Sequence, residues 1–456
     1  MEKTENYCPC CSFDLDLFLP DSEKQTTATT GDDDDNENDS SSSLPDITET
    51  VNQLTSLSDN DDNDGENQGC LPVIIVDTHG HAQLDRKRDE TYALKESKEN
   101  DDDNKNDIDK QNQIFRVKSL ACSVEPADFE NTLKYAATSD SILPALGVHP
   151  WYIENLPGYS TSSNSNSNDS DDVGNSDNDD NVDNSDSEWL LPMEALLLKH
   201  PNCLVGEIGL CKIAKWVRTH PDGKATAMAI QKRIFQKQMI LAAKLRRPVS
   251  VHCVNSHGIF VSAIKELVEK RRSNEEEEEE KEEDTITTTS NKSSSSSSSR
   301  RFLLPPVIGM HSFTGTAHHV KELLELEHEI DFPNDNSRTT RKKKKAPKNN
   351  KNTEKDNAES PLSPPPPPPL FYFGFSHTVN YAMCTSEKSR KKGKEAVQAV
   401  PINRLLVESD VHSDADVAGG TIGAIAYVAW ARSMKAKEVV SATTKNGSMF
   451  LGSIGI

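Results

Sequence analysis

Long apolar runs are missing from this chain of 456 residues. Only 34% of it is hydrophobic, and the mean hydropathy is −0.69. No stretch is long enough to cross a bilayer, so no membrane role is expected, and the opening MEKTENYCPCCSFD is too polar for a secretory leader. A cysteine framework is missing as well. The nine cysteines are odd in number and irregular in spacing, which excludes a disulfide scaffold and fits reduced thiols in the cytoplasm or nucleus. Cys8, Cys10 and Cys11 lack a second pair at zinc-finger spacing. Basic residues are absent from whole tracts: 31–68 holds 13 acidic side chains and no basic one, and 160–188 holds 9 and none. Together these tracts carry −22 of the net −23, which leaves the remainder near −1. Such acidity does not resemble a nucleic-acid footprint, and any DNA would have to enter through a local site.

Residues 1–71 read as a disordered acidic N-terminal region, and inserts at about 97–113, 160–188, 273–299 and 332–368 read the same way. Runs such as SSSSSSS, EEEEEE and PPPPPP bury too little apolar surface to offset chain entropy. They are expected to be solvated loops, with protein partners a further possible use. RKKKK from Arg341 reads as a solvated basic loop, with a nuclear import signal as the alternative. Approximately 270 residues remain, a normal size for one α/β barrel.

The remaining fragments alternate between strand and helix patterns. VIIVD, ILPALGVHP, CLVGEIGLC, PVSVHCV, PPVIGMHSF, LFYFGFS and INRLLVESD are short apolar strands. Between them lie helical stretches such as PADFENTLKYAATS, EWLLPMEALLLKHP, AIQKRIFQKQMILAAKLR, GIFVSAIKELVEKRR and TAHHVKELLELE. This alternation predicts a parallel sheet, an α/β TIM (β/α)8 barrel over 72–456 interrupted by the inserts.

Ionisable residues recur where these strands end. His79 and His81 close VIIVDTHGH, His149 follows ALGV, Glu207 lies in VGEIGL, His252 and His311 end PVSVH and VIGMH, and Glu408 and Asp410 end LLVESD. In a parallel barrel all carboxyl ends of the strands open on one face, where active sites are built. A lone histidine in such a place is usually structural; His79, His81, Glu207, His252, His311 and Asp410 together are not. His149 stays open between ligand and turn residue, and His318, His319 and His328 read as surface positions on an amphipathic helix. Imidazole with carboxylate suits zinc, manganese, iron or magnesium. Two such cations can clamp a phosphodiester and activate water.

With DTHGH, ALGVHPW, VGEIGL, MHSFTGT, YFGFS, RLLVESD and VVSATTKNGSMF in this order, the sequence resembles the TatD-like metal-dependent deoxyribonucleases, TIM barrels of the amidohydrolase superfamily. The resemblance implies hydrolysis of phosphodiesters in DNA with divalent metal, two ions of magnesium, manganese or zinc. It implies that His79 and His81 hold the first metal, that Glu207 bridges, and that His252 and His311 hold the second. Asp410 would contact the first metal and activate the attacking water, so Asp410 and Glu207 would carry the catalysis, with His149 beside the substrate. Two positions depart from the family's pattern: Cys211 stands where aspartate is usual, and Val254 where an arginine often supplies a phosphate donor. VHCVNSHG and ESDVH look more like a fungal branch of the family, described through association with a mitotic protein complex. Two alternatives to the nuclease follow: a hydrolase of a non-DNA ester or amide, and a metal-binding barrel that acts mainly as a protein-interaction partner.

Overall fold

The computed structural model describes residues 50, 53–54, 73–85, 115–159, 184–269, 304–332 and 368–452. Eight strands form one sheet in sequential order: β1 (Val73–Gly80), β2 (Phe115–Cys122), β3 (Ile142–Leu146), β4 (Leu204–Cys211), β5 (Val249–Val254), β6 (Ile308–His311), β7 (Phe371–Ser376) and β8 (Leu405–Glu408). Every neighbouring pair is parallel. The sheet curls until β8 meets β1, where the His81 N–H donates to Val411 O (2.8 Å) and the Asp410 N–H to His79 O (3.1 Å). The result is the expected TIM barrel, nearly closed.

Nine helices are named here: α1 (Phe129–Ala136), α2 (Asn184–Lys199), α3 (Lys215–Thr219), α4 (Gly223–Lys244), α5 (257–269), α6 (Ala317–Asp331), α7 (Glu387–Ala399), α8 (Val417–Arg432) and α9 (Ala436–Phe450). Strand alternation divides the apolar residues between two layers. Val205, Val249, Val251, Phe371, Phe373 and Leu405 join the main core with helix residues such as Phe235 and Phe260. The alternate positions Leu204, Tyr372 and Leu406 gather with Val76 and Leu120 in a second cluster, together with Phe450 and Leu451 from the end of α9. Asn446 ties α9 to the start of β8, its Nδ2 donating to Ile402 O and Leu405 O, each at 2.8 Å.

The expected inserts at 97–113 and 273–299 lie outside the described residues, as do 160–183 and 333–367. The fold departs from the compositional reading in two places. The tract 160–188 extends too far, because α2 already begins at Asn184. Asp186 is buried within it, accepts from Tyr159 Oη (2.8 Å) and Trp189 Nε1 (3.2 Å), and pairs with Lys237. The residues that flank 160–183 are thus held together by one carboxylate, which composition averaged over the tract conceals. Within the N-terminal region read as disordered, Thr50, Gln53 and Leu54 are helical, and Leu54 is fully buried in the main core. Among the described residues no helix is long and apolar enough to cross a membrane.

Candidate metal centre

The six expected ligand residues do converge, and Glu207 is the point of convergence. Its Oε2 lies 3.2 Å from His79 Nε2 and 3.1 Å from His81 Nε2. Its Oε1 lies 2.9 Å from His252 Nδ1, 3.4 Å from His149 Nε2 and 3.6 Å from His311 Nε2. Asp410 Oδ2 completes the set at 3.6 Å from His311 Nε2. Three groups of donor atoms are compact enough for an ion: His79, His81 and Asp410; His79, Glu207 and His311; and His149, Glu207 and His252.

Backbone irregularities aim these side chains. β1 slips in register against β2 between Asp77 and Gly80, which re-aims the histidines at its end. Asp77 does not join the cluster: its carboxylate accepts the Ser409 N–H (2.8 Å) and Ser409 Oγ–H (2.6 Å), fastening β1 to β8. Asp410 adopts the left-handed conformation (φ 53°), which aspartate tolerates better than most residues and which ends β8 abruptly. Gly374 on β7 is required by close approach, since a Cβ there would collide with the carboxylate of Glu408.

Outer partners orient the ligand rings in the manner of metal-binding histidines. His79 Nδ1 contacts Ser250 Oγ (2.8 Å) and Cys122 Sγ (3.3 Å), and His81 Nδ1 contacts Cys122 O (2.8 Å). Both Nε2 atoms are therefore left facing Glu207, only 3.2 Å from each other. Glu408 sits 3.1 Å from His311 Nδ1 and accepts the Ser312 N–H, while Ser312 Oγ donates to Asp410 Oδ2 (2.9 Å).

Electrostatically the site is a buried carboxylate surrounded by imidazoles. Burial favours the neutral acid, yet His149, His311 and His79 hold Glu207 well below the usual carboxylate range. Burial pushes His149 down to about 4. His311 is raised to about 10: burial opposes this, but Asp410, Glu408 and Glu207 outweigh it. His252 rises to about 9 in the same way, through Cys211 and Glu207. Nitrogen and carboxylate donors at these separations fit divalent cations, and binding one would release protons from these rings.

His149 lies closer to the centre than its expected place beside the substrate, since it shares Glu207 Oε1 with His252. Cys211, at the position where the family usually has aspartate, is fully buried and helps to raise the pKa of His252. Three residues in the surroundings carry no signal in the sequence. Ser250 and Cys122 look like ordinary strand residues, and His412 stacks on His81 (5.3 Å between rings) only because β8 returns to β1.

The chain is similar to the crystal structure of YJJV, a TatD homologue from Escherichia coli, at 16% identity, covering 83% of this chain and 98% of that one with a TM-score of 0.46. It is also similar to an uncharacterized amidohydrolase from Saccharomyces cerevisiae, at 14% identity, 74% and 89% coverage and a TM-score of 0.43. The Cut9-interacting protein scn1 of Schizosaccharomyces pombe is 22% identical over 333 residues, which cover 68% of this chain and 84% of the yeast protein. The profile of one family, described as TatD related DNase, matches residues 76–356 and so takes in His79, His81, His149, Glu207, His252 and His311. With that match spanning more than half of the sequence, the chain belongs to the TatD-related DNase family.

Proposed function

We propose that this protein is a divalent-metal-dependent hydrolase that cleaves phosphodiester bonds in DNA. The observation that carries this reading is the buried carboxylate of Glu207 shared by five imidazoles, with Asp410 at their edge. His79, His81 and Asp410 would hold one cation and Glu207 with His149 and His252 a second, while His311 groups with His79 and Glu207 between them. Cations bound there would act as Lewis acids toward a phosphoryl oxygen and lower the pKa of water. Asp410 accepts the proton of the attacking water. Burial alone would keep its carboxyl protonated, but His311, His79 and His81 lower its pKa, so it is ionised and ready to act as a base. Ser312 Oγ–H holds the second oxygen's lone pair and fixes the carboxylate's direction. As the P–O bond to the leaving oxygen breaks, that oxygen takes up a proton and Asp410 returns its own to solvent.

The test is hydrolysis of single-stranded DNA by purified protein of measured metal content, with a small phosphodiester ester run beside it. Chelator-sensitive cleavage of DNA supports the reading. Cleavage of the small ester alone favours a non-DNA substrate. The yeast relative's printed name supports a second reading, a barrel that serves as a protein-interaction partner. Partner binding by a protein that turns over neither substrate would favour it.

A further inference from the structure

Beside the histidine cluster, on the same end of the barrel, lies a cavity of about 490 Å³ that the reaction above leaves unused. Its walls come from the segments that follow β5, β6 and β7, and the helices that start there, α5, α6 and α7, open toward it. Helix starts favour anions. They would not make a site alone, but His257 supplies a second feature. It is 7% exposed and lines the cavity, and its Nε2 has no hydrogen-bond partner. A buried polar atom left unpaired costs free energy that a ligand would recover.

Gly315 and the Phe313 ring lie against that nitrogen without bonding to it. A Cβ on Gly315 would come within 2.8 Å of His257 Nε2, so glycine is needed there. His257 stacks flat on His319, with rings 4.3 Å apart and 4° from parallel. His319 Nδ1 accepts the Thr316 N–H (3.1 Å), which places the His319 proton on Nε2 and leaves that nitrogen as a donor. Burial and the neighbouring His319 push His257 down to about 4, so the stack is neutral near pH 7 and the charge for an anion must come from elsewhere. Lys392 provides it. In the basic run of α7, Arg390 is engaged with Cys384 O (2.8 Å) and the Tyr381 ring, and Lys394 lies over Trp430 (4.6 Å). Lys392 instead borders the cavity. Phe313 adds an aromatic wall, so the lining pairs a cation and hydroxyls with ring faces, the combination that binds a nucleotide unit.

We propose that this cavity, walled by His257, Phe313, His319 and Lys392, is a subsite that holds a second nucleotide of the strand being cleaved, its phosphate toward Lys392. This rests on the reading of the neighbouring cluster as a phosphodiester hydrolase. It also answers the absence of a phosphate donor at Val254, because Lys392 contributes a cation from helix α7.

Thymidine 5′-monophosphate, thymidine and inorganic phosphate, titrated by calorimetry into the full chain in excess chelator, test the subsite without catalysis. The nucleotide is expected to bind saturably and more tightly than either fragment. Lys392→Ala is expected to weaken it about tenfold or more, the scale of one charge-assisted phosphate contact. Lys392 is exposed, so its removal spares the fold, and His257→Phe should show the same loss. With oligonucleotide substrate the Lys392→Ala loss is expected in KM rather than kcat. No saturable nucleotide binding, binding indifferent to Lys392→Ala, or phosphate binding as tightly as the nucleotide would each overturn the subsite. Nucleotide binding that depends on Lys392, in a protein that cleaves no DNA, would sink the nuclease reading and leave the subsite standing. Cleavage without such binding would do the reverse.

Discussion

The two ends of this barrel are built from the same eight strands yet follow opposite rules. Toward one end, Leu204, Tyr372 and Leu406 pack with Phe450, which lies against Gly309 so closely that a Cβ there would come within 2.6 Å of its ring. Toward the other, the strands end in the ionisable His79, Glu207, His252, His311 and Glu408, all of them buried except the half-buried His252. The first end is stable because apolar surface is removed from water; the second survives only because each buried charge faces an opposite one. Stability and chemistry are thus segregated along the strand axis, and substitutions at either end should read out differently.

The largest effect expected is on the packed end. Phe450→Ala should cost about 3–5 kcal/mol of unfolding free energy, the scale for a buried Phe truncation, with metal bound per folded molecule unchanged. Denaturant melts with parallel metal analysis check it, and a loss of metal affinity in the folded fraction would break the segregation. At the charged end, Asp410→Asn should leave melting and metal content near the parent while hydrolysis falls at least ~10²-fold, the scale of a lost general base. Full activity in that variant would refute the assigned role. His81→Ala removes a donor outright, so metal occupancy should fall on dialysis against a fixed metal concentration, and activity with it. Retained stoichiometry would remove His81 from the ligand set.

The smallest effect belongs to the cavity next to the charged end. His257 titrates near 4 when folded, against 6.5 for an ordinary imidazole. Between those values the unfolded chain holds the extra proton, so stability falls as pH drops from 6.5 toward 4. The slope is at most about 1.36 kcal/mol per pH unit. His257→Phe should flatten the curve in that window relative to the parent, with His319 still titrating beside it. An unchanged slope would mean that the imidazole is not held neutral.

Legibility followed locality. Short apolar strands alternating with amphipathic helices are a local pattern, and the barrel could be read from them. The glycine-rich VAGGTIGAIAYVAWAR, which forms α8, shows no clean stripe, and EKSRKKGKEAVQA, which forms α7, is so highly charged that it buries only Ala396 and Val397. His319 reads as a surface residue because its neighbours are polar, but it is half-buried and stacked on His257. That contact joins helices that follow different strands, and no window of sequence contains both. Asp186 escaped notice for the opposite reason: its acidic neighbours hid the one carboxylate that is buried.

By itself the sequence determined that the ionisable residues lie at the carboxyl ends of parallel strands, because β patterning and chain direction are properties of contiguous residues. It thereby set the fold, the end of the barrel that carries the site, and the candidate donors. Only the tertiary structure decided how those donors group. The register shift of β4 at Glu207 and the curl of the sheet place His149 with His252 on one oxygen of Glu207, and the register slip in β1 places His79 with His81 on the other. These are contacts between residues scores of positions apart, set by how strands curl into a barrel rather than by any local preference.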